Sequence, residues 1–152
     1  MNDFTHLHVH SHYSLLDGLG KLDALIERTR ELGMNSLAIT DHGAMYGVIE
    51  FVQAAQKAGI KPIIGMEGYL APNGHDKKRG KMDGNPRHIG LIAQNNIGYK
   101  NLMQLSTKAF LEGYYYKPRI DYDLLEQHSD GLIVLSGCLN GDISKAIQEK
   151  RP

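Results

Sequence analysis

Half of the chain's eight histidines stand at alternate positions near its start: His6, His8, His10 and His12. In an extended strand, residues two apart share a face and lie roughly 6.5–7 Å from each other. A lone imidazole on an apolar strand is usually a satisfied core residue. A row of them is harder to satisfy, because each buried ring needs its own polar partner. A single cation meets that need for several rings at once. With Leu7 and Val9 facing a packed layer, His8 and His10 face the other way and become candidate metal ligands, with His6 and His12 as bystanders. Asp17, Asp41-His42, Glu67, His88 and Cys138 supply further groups of the right kind. Histidine, carboxylate and thiolate all bind zinc-like ions at about 2.0–2.3 Å. Asp41 reads as an outer partner that orients His8, His10 or His42 through a ring N–H. Plainer roles exist for several: Asp17 as a turn residue, Glu67 as a partner of a lysine, Cys138 as a small core residue. His75 and His128 fall in loop-like stretches and read as surface residues.

These groups need a frame that gathers them. The histidine strand leads through a loop, 14–20, into a helix whose Leu22, Leu25, Ile26, Thr29 and Leu32 share one face, ended by Gly33. Ser36 to Thr40 reads as a strand buried on both sides, Tyr46 to Ala58 as a helix, and Ile60 to Leu70 as a strand. This β-α-β-α-β order predicts parallel strands joined by helical crossovers. Residues 73–87, with Lys77, Lys78, Arg79 and Lys81, read as a solvated insertion loop, with a phosphate-backbone contact as the alternative. A strand over His88–Ala93, a helix over Tyr99–Leu111, an irregular 114–119, a short helix over Asp121–Gln127, a strand over Gly131–Ser136 and a helix over Asp142–Glu149 complete the chain. In parallel α/β folds the C-terminal strand edge is where sites are built. Asp41-His42 and Ser136-Gly137-Cys138 fall there, and Glu67 lies in its strand near a glycine. His88, at a strand start, fits that rule less well.

Composition narrows the class. With 152 residues the chain makes one domain, large enough to bury a core. Lysine plus arginine equals aspartate plus glutamate at 17 each, which argues against a uniformly basic nucleic-acid surface while leaving room for a local patch. Cys138 is the only cysteine, so no internal disulfide forms and a reducing compartment is expected. With no signal-peptide pattern and no membrane-length apolar run, the expectation is a cytoplasmic protein without a membrane partner.

Several segments in fixed order carry a resemblance: Phe4-Thr-His-Leu-His-Val-His-Ser-His-Tyr-Ser-Leu-Leu-Asp-Gly18, Ala38-Ile-Thr-Asp-His-Gly43 and Gly65-Met-Glu67. They resemble the PHP (polymerase and histidinol phosphatase) family. Its branch at the N-terminus of bacterial DNA polymerase III alpha subunits is most similar, through His88-Ile-Gly-Leu-Ile-Ala-Gln-Asn95, Gly98-Tyr-Lys-Asn-Leu102, Tyr115-Tyr-Lys-Pro-Arg119 and Leu135-Ser-Gly-Cys138. The resemblance implies a distorted (β/α)7 barrel, incomplete here, with up to three divalent metal ions. It assigns His8, His10, Asp17, His42, Glu67, His88 and Cys138 as ligands and makes Arg119 a candidate phosphate contact. The later Asp-x-His pair that completes the family's site does not occur after Cys138, so residues 1–152 read as the N-terminal portion of a longer polymerase domain.

The implied chemistry is phosphoester hydrolysis by a metal-bound water, with no protein nucleophile. Zinc is the expected ion, and manganese or iron also suits a mixed N/O/S set. DNA and other replisome subunits, a proofreading subunit among them, are the implied partners through the parent polymerase. The reading is a 3′–5′ exonuclease-type site in a DNA-directed DNA polymerase. Its alternatives are a non-catalytic structural and interaction module and a stand-alone phosphatase of the histidinol phosphate type.

Overall fold

The computed structural model describes residues 4–15 and 17–150; Met1–Asp3, Leu16, Arg151 and Pro152 lie outside the described residues. The element order is α1 (Leu22–Glu31), β1 (Ser36–Ile39), α2 (Val48–Lys57), β2 (Lys61–Leu70), β3 (Arg87–Ala93), α3 (Asn96–Leu111), β4 (Arg119–Ile120), α4 (Tyr122–Gln127), β5 (Leu132–Leu135) and α5 (Asp142–Gln148), with a 3-10 turn at Gly80–Met82. This is a mixed α/β fold, its helices packed on one partly parallel sheet.

Helix α1 buries Leu22, Ile26 and Thr29, and α2 buries Val48, Phe51 and Ala55, the spacings of single helix faces. Both pack with Leu37 and Ile39 of β1 and with Ile60. A second cluster joins Leu102, Leu105 and Ala109 of α3 and Leu124 and Leu125 of α4 to Met66, Leu70, Ile89 and Leu91 of the sheet. Leu91, Leu102 and Leu105 have no exposed surface, and such a side chain contributes about 1.5–3 kcal/mol by burial. Helix α3 starts three residues earlier than periodicity predicts, because the Asn95 side chain accepts from the N–H groups of Ile97 and Gly98.

The sheet runs β1-β2-β3-β5, with β4 beside the end of β2. Strand β2 is parallel to β1 and β4, while β3 is antiparallel to both β2 and β5. The expectation of parallel strands throughout is thereby corrected. Residues 71–86 hold only the 3-10 turn, not a crossover helix, so the chain comes back antiparallel. This reversal explains His88. The start of β3 pairs with the end of β2, Tyr69 opposite His88, so His88 reaches the same edge as the ends of the parallel strands. Among the described residues the sheet is open, with β1 and β5 at its two ends.

The histidine segment is extended but forms no regular ladder. Ala38 N–H donates to His6 O at 3.0 Å and Thr40 N–H to Val9 O at 2.8 Å. Three residues of the segment therefore span two of β1, a bulge-like mismatch. The Thr40 hydroxyl fills the gap, accepting from Val9 N–H at 2.9 Å. The slip breaks the simple alternation, and Leu7 is 40% exposed instead of packed.

Arg119 organises the insertion loop. Its side chain is wholly buried and donates to Gly113 O and Asp83 O at 2.9 Å, His75 O at 2.7 Å and Lys77 O at 2.8 Å. Buried Asp83 takes three N–H groups of Arg79 and one of Asn73. The basic cluster is thus partly spent inside its own loop. His75 is not a plain surface residue either, since its Nδ1 sits 2.5 Å from Asp121 Oδ2.

Candidate metal centre

Glu67 stands at the middle of the strand-end edge, 1% exposed. Four imidazole nitrogens surround its carboxylate. His8 Nε2 and His88 Nδ1 each lie 3.3 Å from Oε1. His10 Nε2 lies 3.3 Å and His42 Nδ1 3.0 Å from Oε2. The rings come from separate elements: the bulged N-terminal segment, the residue pair after β1, and the reversed start of β3. Gly43, at φ +59°, lets the chain turn directly after His42; a Cβ there would meet Pro118 at 2.8 Å and the Tyr69 ring at 2.9 Å.

These approaches are close, yet their angles are not those of hydrogen bonds. Both Glu67 oxygens and His42 Nδ1 are buried without a hydrogen-bond partner. Each such orphan costs about 1–3 kcal/mol unless something else satisfies it. Two donors held at about 2.1 Å on a tetrahedral ion stand roughly 3.4 Å apart, close to the 3.0–3.3 Å seen here. His8, His10 and Glu67 form one group with all ligand atoms within 4.8 Å of one another, and His42, Glu67 and His88 form a second. The donor set fits two cations that share Glu67.

Asp17 and Cys138 stand one step outward. Asp17 Oδ2 is 2.8 Å from His42 Nε2, and Cys138 Sγ is 3.5 Å from His88 Nδ1, with Asn140 N–H donating to the sulfur at 3.4 Å. Burial pushes the Glu67 carboxyl up, but His10, His42 and His88 outweigh it and hold the group far below the usual carboxylate range. On His42, Glu67 raises the pKa above the ordinary imidazole value, against its burial and with help from Asp17. Burial, reinforced by the charges of Glu67 and Asp17, pushes the Tyr69 phenol up to about 12, so it stays protonated.

Two expected roles are corrected. Asp41 touches no ring nitrogen; its carboxylate accepts from Ser11 N–H at 2.6 Å, Ser11 Oγ at 2.9 Å and Ser14 Oγ at 2.7 Å. It pins the loop that carries His10 and Asp17. Arg119, with its guanidinium sealed among carbonyls, is out of reach of a phosphate. Sequence reasoning also missed Ser11, Ser14 and Tyr69. For Tyr69 a signal existed: it follows Glu67 by two in β2 and so shares its face. Its ring lies beside those of His42 and His88, at 5.7 and 5.4 Å between centroids.

A cleft of about 480 Å³ opens next to this cluster, lined at one end by Asp17, His42, Tyr69 and His88. The PHP domain family matches residues 6–152. This chain belongs to the PHP family. Similar full-length relatives are DNA polymerase III alpha subunits. That of Borreliella burgdorferi is 48% identical over 97% of this chain and 13% of its own length. That of Helicobacter pylori strain 26695 is 50% identical over 93% of this chain and 12% of its own. That of Thermus aquaticus is 47% identical over 97% and 12%. This PHP domain is thus homologous to the N-terminal region of those subunits and spans about an eighth of their length. A solved amidohydrolase from Chromobacterium violaceum overlaps 68% of this chain and 34% of its own, at 24% identity and a TM-score of 0.46, a likeness too slight to decide anything further. Among the described residues no helix is long and apolar enough to cross a membrane.

Proposed function

We propose that this PHP domain carries a metal-dependent phosphoesterase site of the 3′–5′ exonuclease type within a bacterial replicative DNA polymerase alpha subunit. The observation that carries the reading is the buried Glu67 carboxylate, neither oxygen hydrogen-bonded, shared by two groups of imidazoles. His8, His10, Glu67, His42 and His88 would hold the ions, with Asp17 and Cys138 joining at the two outer positions. Zinc, manganese or iron suits this set. Divalent ions there would supply Lewis acidity and an acidified water for attack on phosphorus. The chain's own residues do the positioning. Glu67 keeps the two groups of rings at one distance, and Asp17 fixes the orientation of His42. Asp41 holds the loop between His10 and Asp17 closed. Polymerisation, and contacts with DNA and other replisome subunits including a proofreading subunit, would belong to the longer subunit.

A second reading, a metal-stabilised interaction module without turnover, has its own support. Ile133, Val134, Leu139, Ile143 and Ile147 leave an exposed apolar surface around β5 and α5, and contiguous exposed apolar surface marks an interaction site. Metal analysis paired with digestion of single-stranded DNA separates the two. Release of nucleotides that stops in the Glu67→Gln variant supports the enzyme. Bound metal with no nucleotide release leaves the module. Turnover of a small phosphate monoester but not of DNA would point instead to a phosphatase.

A further inference from the structure

We propose that the cleft beside the metal centre seats the unpaired 3′-terminal nucleotide of a DNA strand, its base on an aromatic shelf and its phosphate at Lys117. This deepens the phosphoesterase reading and rests on it. The shelf is made by Tyr46, Phe110 and Tyr114. The Phe110 ring is centred 6.1 Å from that of Tyr46 and 6.3 Å from that of Tyr114. Tyr46 is 61% and Tyr114 50% exposed, so their faces are open to a ligand. All three line the same cleft as His42 and His88. Two tyrosine rings held open to water beside a half-buried Phe110 lose apolar burial unless something stacks on them, and every nucleobase offers a π-face.

Lys117 marks where the backbone would lie. It lines the cleft, with Nζ 5.3 Å from the centre of the Tyr69 ring, and that ring is packed against His42 and His88. It therefore stands by the ligand cluster, in the role that Arg119 cannot fill. The volume falls within the ~300–1,000 Å³ of small-ligand sites, enough for one nucleotide and not for a duplex end. A paired terminal base would have to leave its stack to enter, so unpaired and mismatched ends are favoured. Stacking is tolerant of base identity, so little sequence preference follows.

The test is binding of an oligonucleotide ending in 3′-terminal 2-aminopurine to the 152-residue chain, in EDTA so that no hydrolysis intervenes. The expected result is quenched fluorescence and tighter binding than to the same strand with an abasic end. Tyr46→Ala and Tyr114→Ala should each weaken binding by roughly 5- to 150-fold, while Tyr114→Phe keeps it. Lys117→Met should lower the salt dependence by about one phosphate contact, roughly 0.7 in the slope of log K against log salt. Tyr46 and Tyr114 are exposed, so truncating them leaves the core intact, and unchanged circular dichroism verifies this. Equal binding of abasic and base-bearing ends, or an unchanged quench in the double tyrosine variant, would overturn the proposal. DNA hydrolysis without a quench would remove this seat and keep the enzyme. A quench that depends on Tyr46 and Tyr114, with no hydrolysis once metal is restored, would keep the seat and retire the enzyme.

Discussion

Glu67→Gln separates a metal centre from a plain cluster of ion pairs. The substitution keeps shape and burial but removes the charge shared by four imidazoles. A cation at 100 times its dissociation constant stabilises the folded state by about 2.7 kcal/mol per site. For a domain of this length, 1 kcal/mol moves the melting temperature by about 2–4 °C, so each filled site should raise it by roughly 5–11 °C. Both groups of ligands contain Glu67, so the variant should lose most of that rise for both ions. Without metal, the wild-type carboxylate stays buried with neither oxygen hydrogen-bonded. The metal-free variant should then be no more than about 1 kcal/mol less stable than wild type, since a buried charge that no cation answers is a cost to the fold and its removal is neutral or stabilising. The assay is calorimetry of both proteins in chelator and in excess zinc or manganese. A variant that keeps the full metal-induced rise would refute the reasoning. So would one that loses about 3–5 kcal/mol without metal, because that loss is the mark of a broken buried ion pair.

Arg119→Met should cost at least about 3 kcal/mol in urea unfolding, because four carbonyls that now accept from the guanidinium would lose their donor; a loss under about 1 kcal/mol would show that water replaces it freely. Asp121 titrates below the ordinary carboxylate value: burial pushes it up, but the His75 backbone and ring and the Leu124 N–H more than offset that. A depressed folded-state value means its stabilisation is present above about pH 3.9 and is lost as pH falls through the lower folded value. Asp121→Asn should therefore lose less stability than wild type over that acid window, and parallel curves of melting temperature against pH would contradict this.

Most of the helices could be located from periodicity; Gly33, at φ +72°, follows α1 as the expected left-handed residue, and Gly59, also at φ +72°, follows α2. The strand direction of β3 could not be read. Its apolar run looks the same in either sense, and direction depends on whether the preceding 16-residue connection coils into a helix or folds on itself. Here buried Asp83 and Arg119 draw that connection into a compact loop. Arg119 itself shows the limit for single residues. A cation beside a proline looks like a ligand contact until the fold wraps four carbonyls around it. Asp41 was misassigned for the opposite reason: its nearest donors, Ser11 and Ser14, are polar residues too common to signal a role before the loop closes.

What the amino-acid order determined alone was the chemistry on offer: imidazoles two apart, carboxylates and a thiol set at strand ends, and helices with one apolar face. Those follow from local spacing, because helix and strand periods act within a few residues. Which donors meet was decided only in three dimensions. The bulge after His6, the reversal of β3 and the hydrogen bonds of Asp41 bring His8, His10, His42 and His88 around one buried carboxylate. Contacts across 59 and 21 residues of chain, from His8 to Glu67 and from Glu67 to His88, are set by sheet register, which no local pattern encodes.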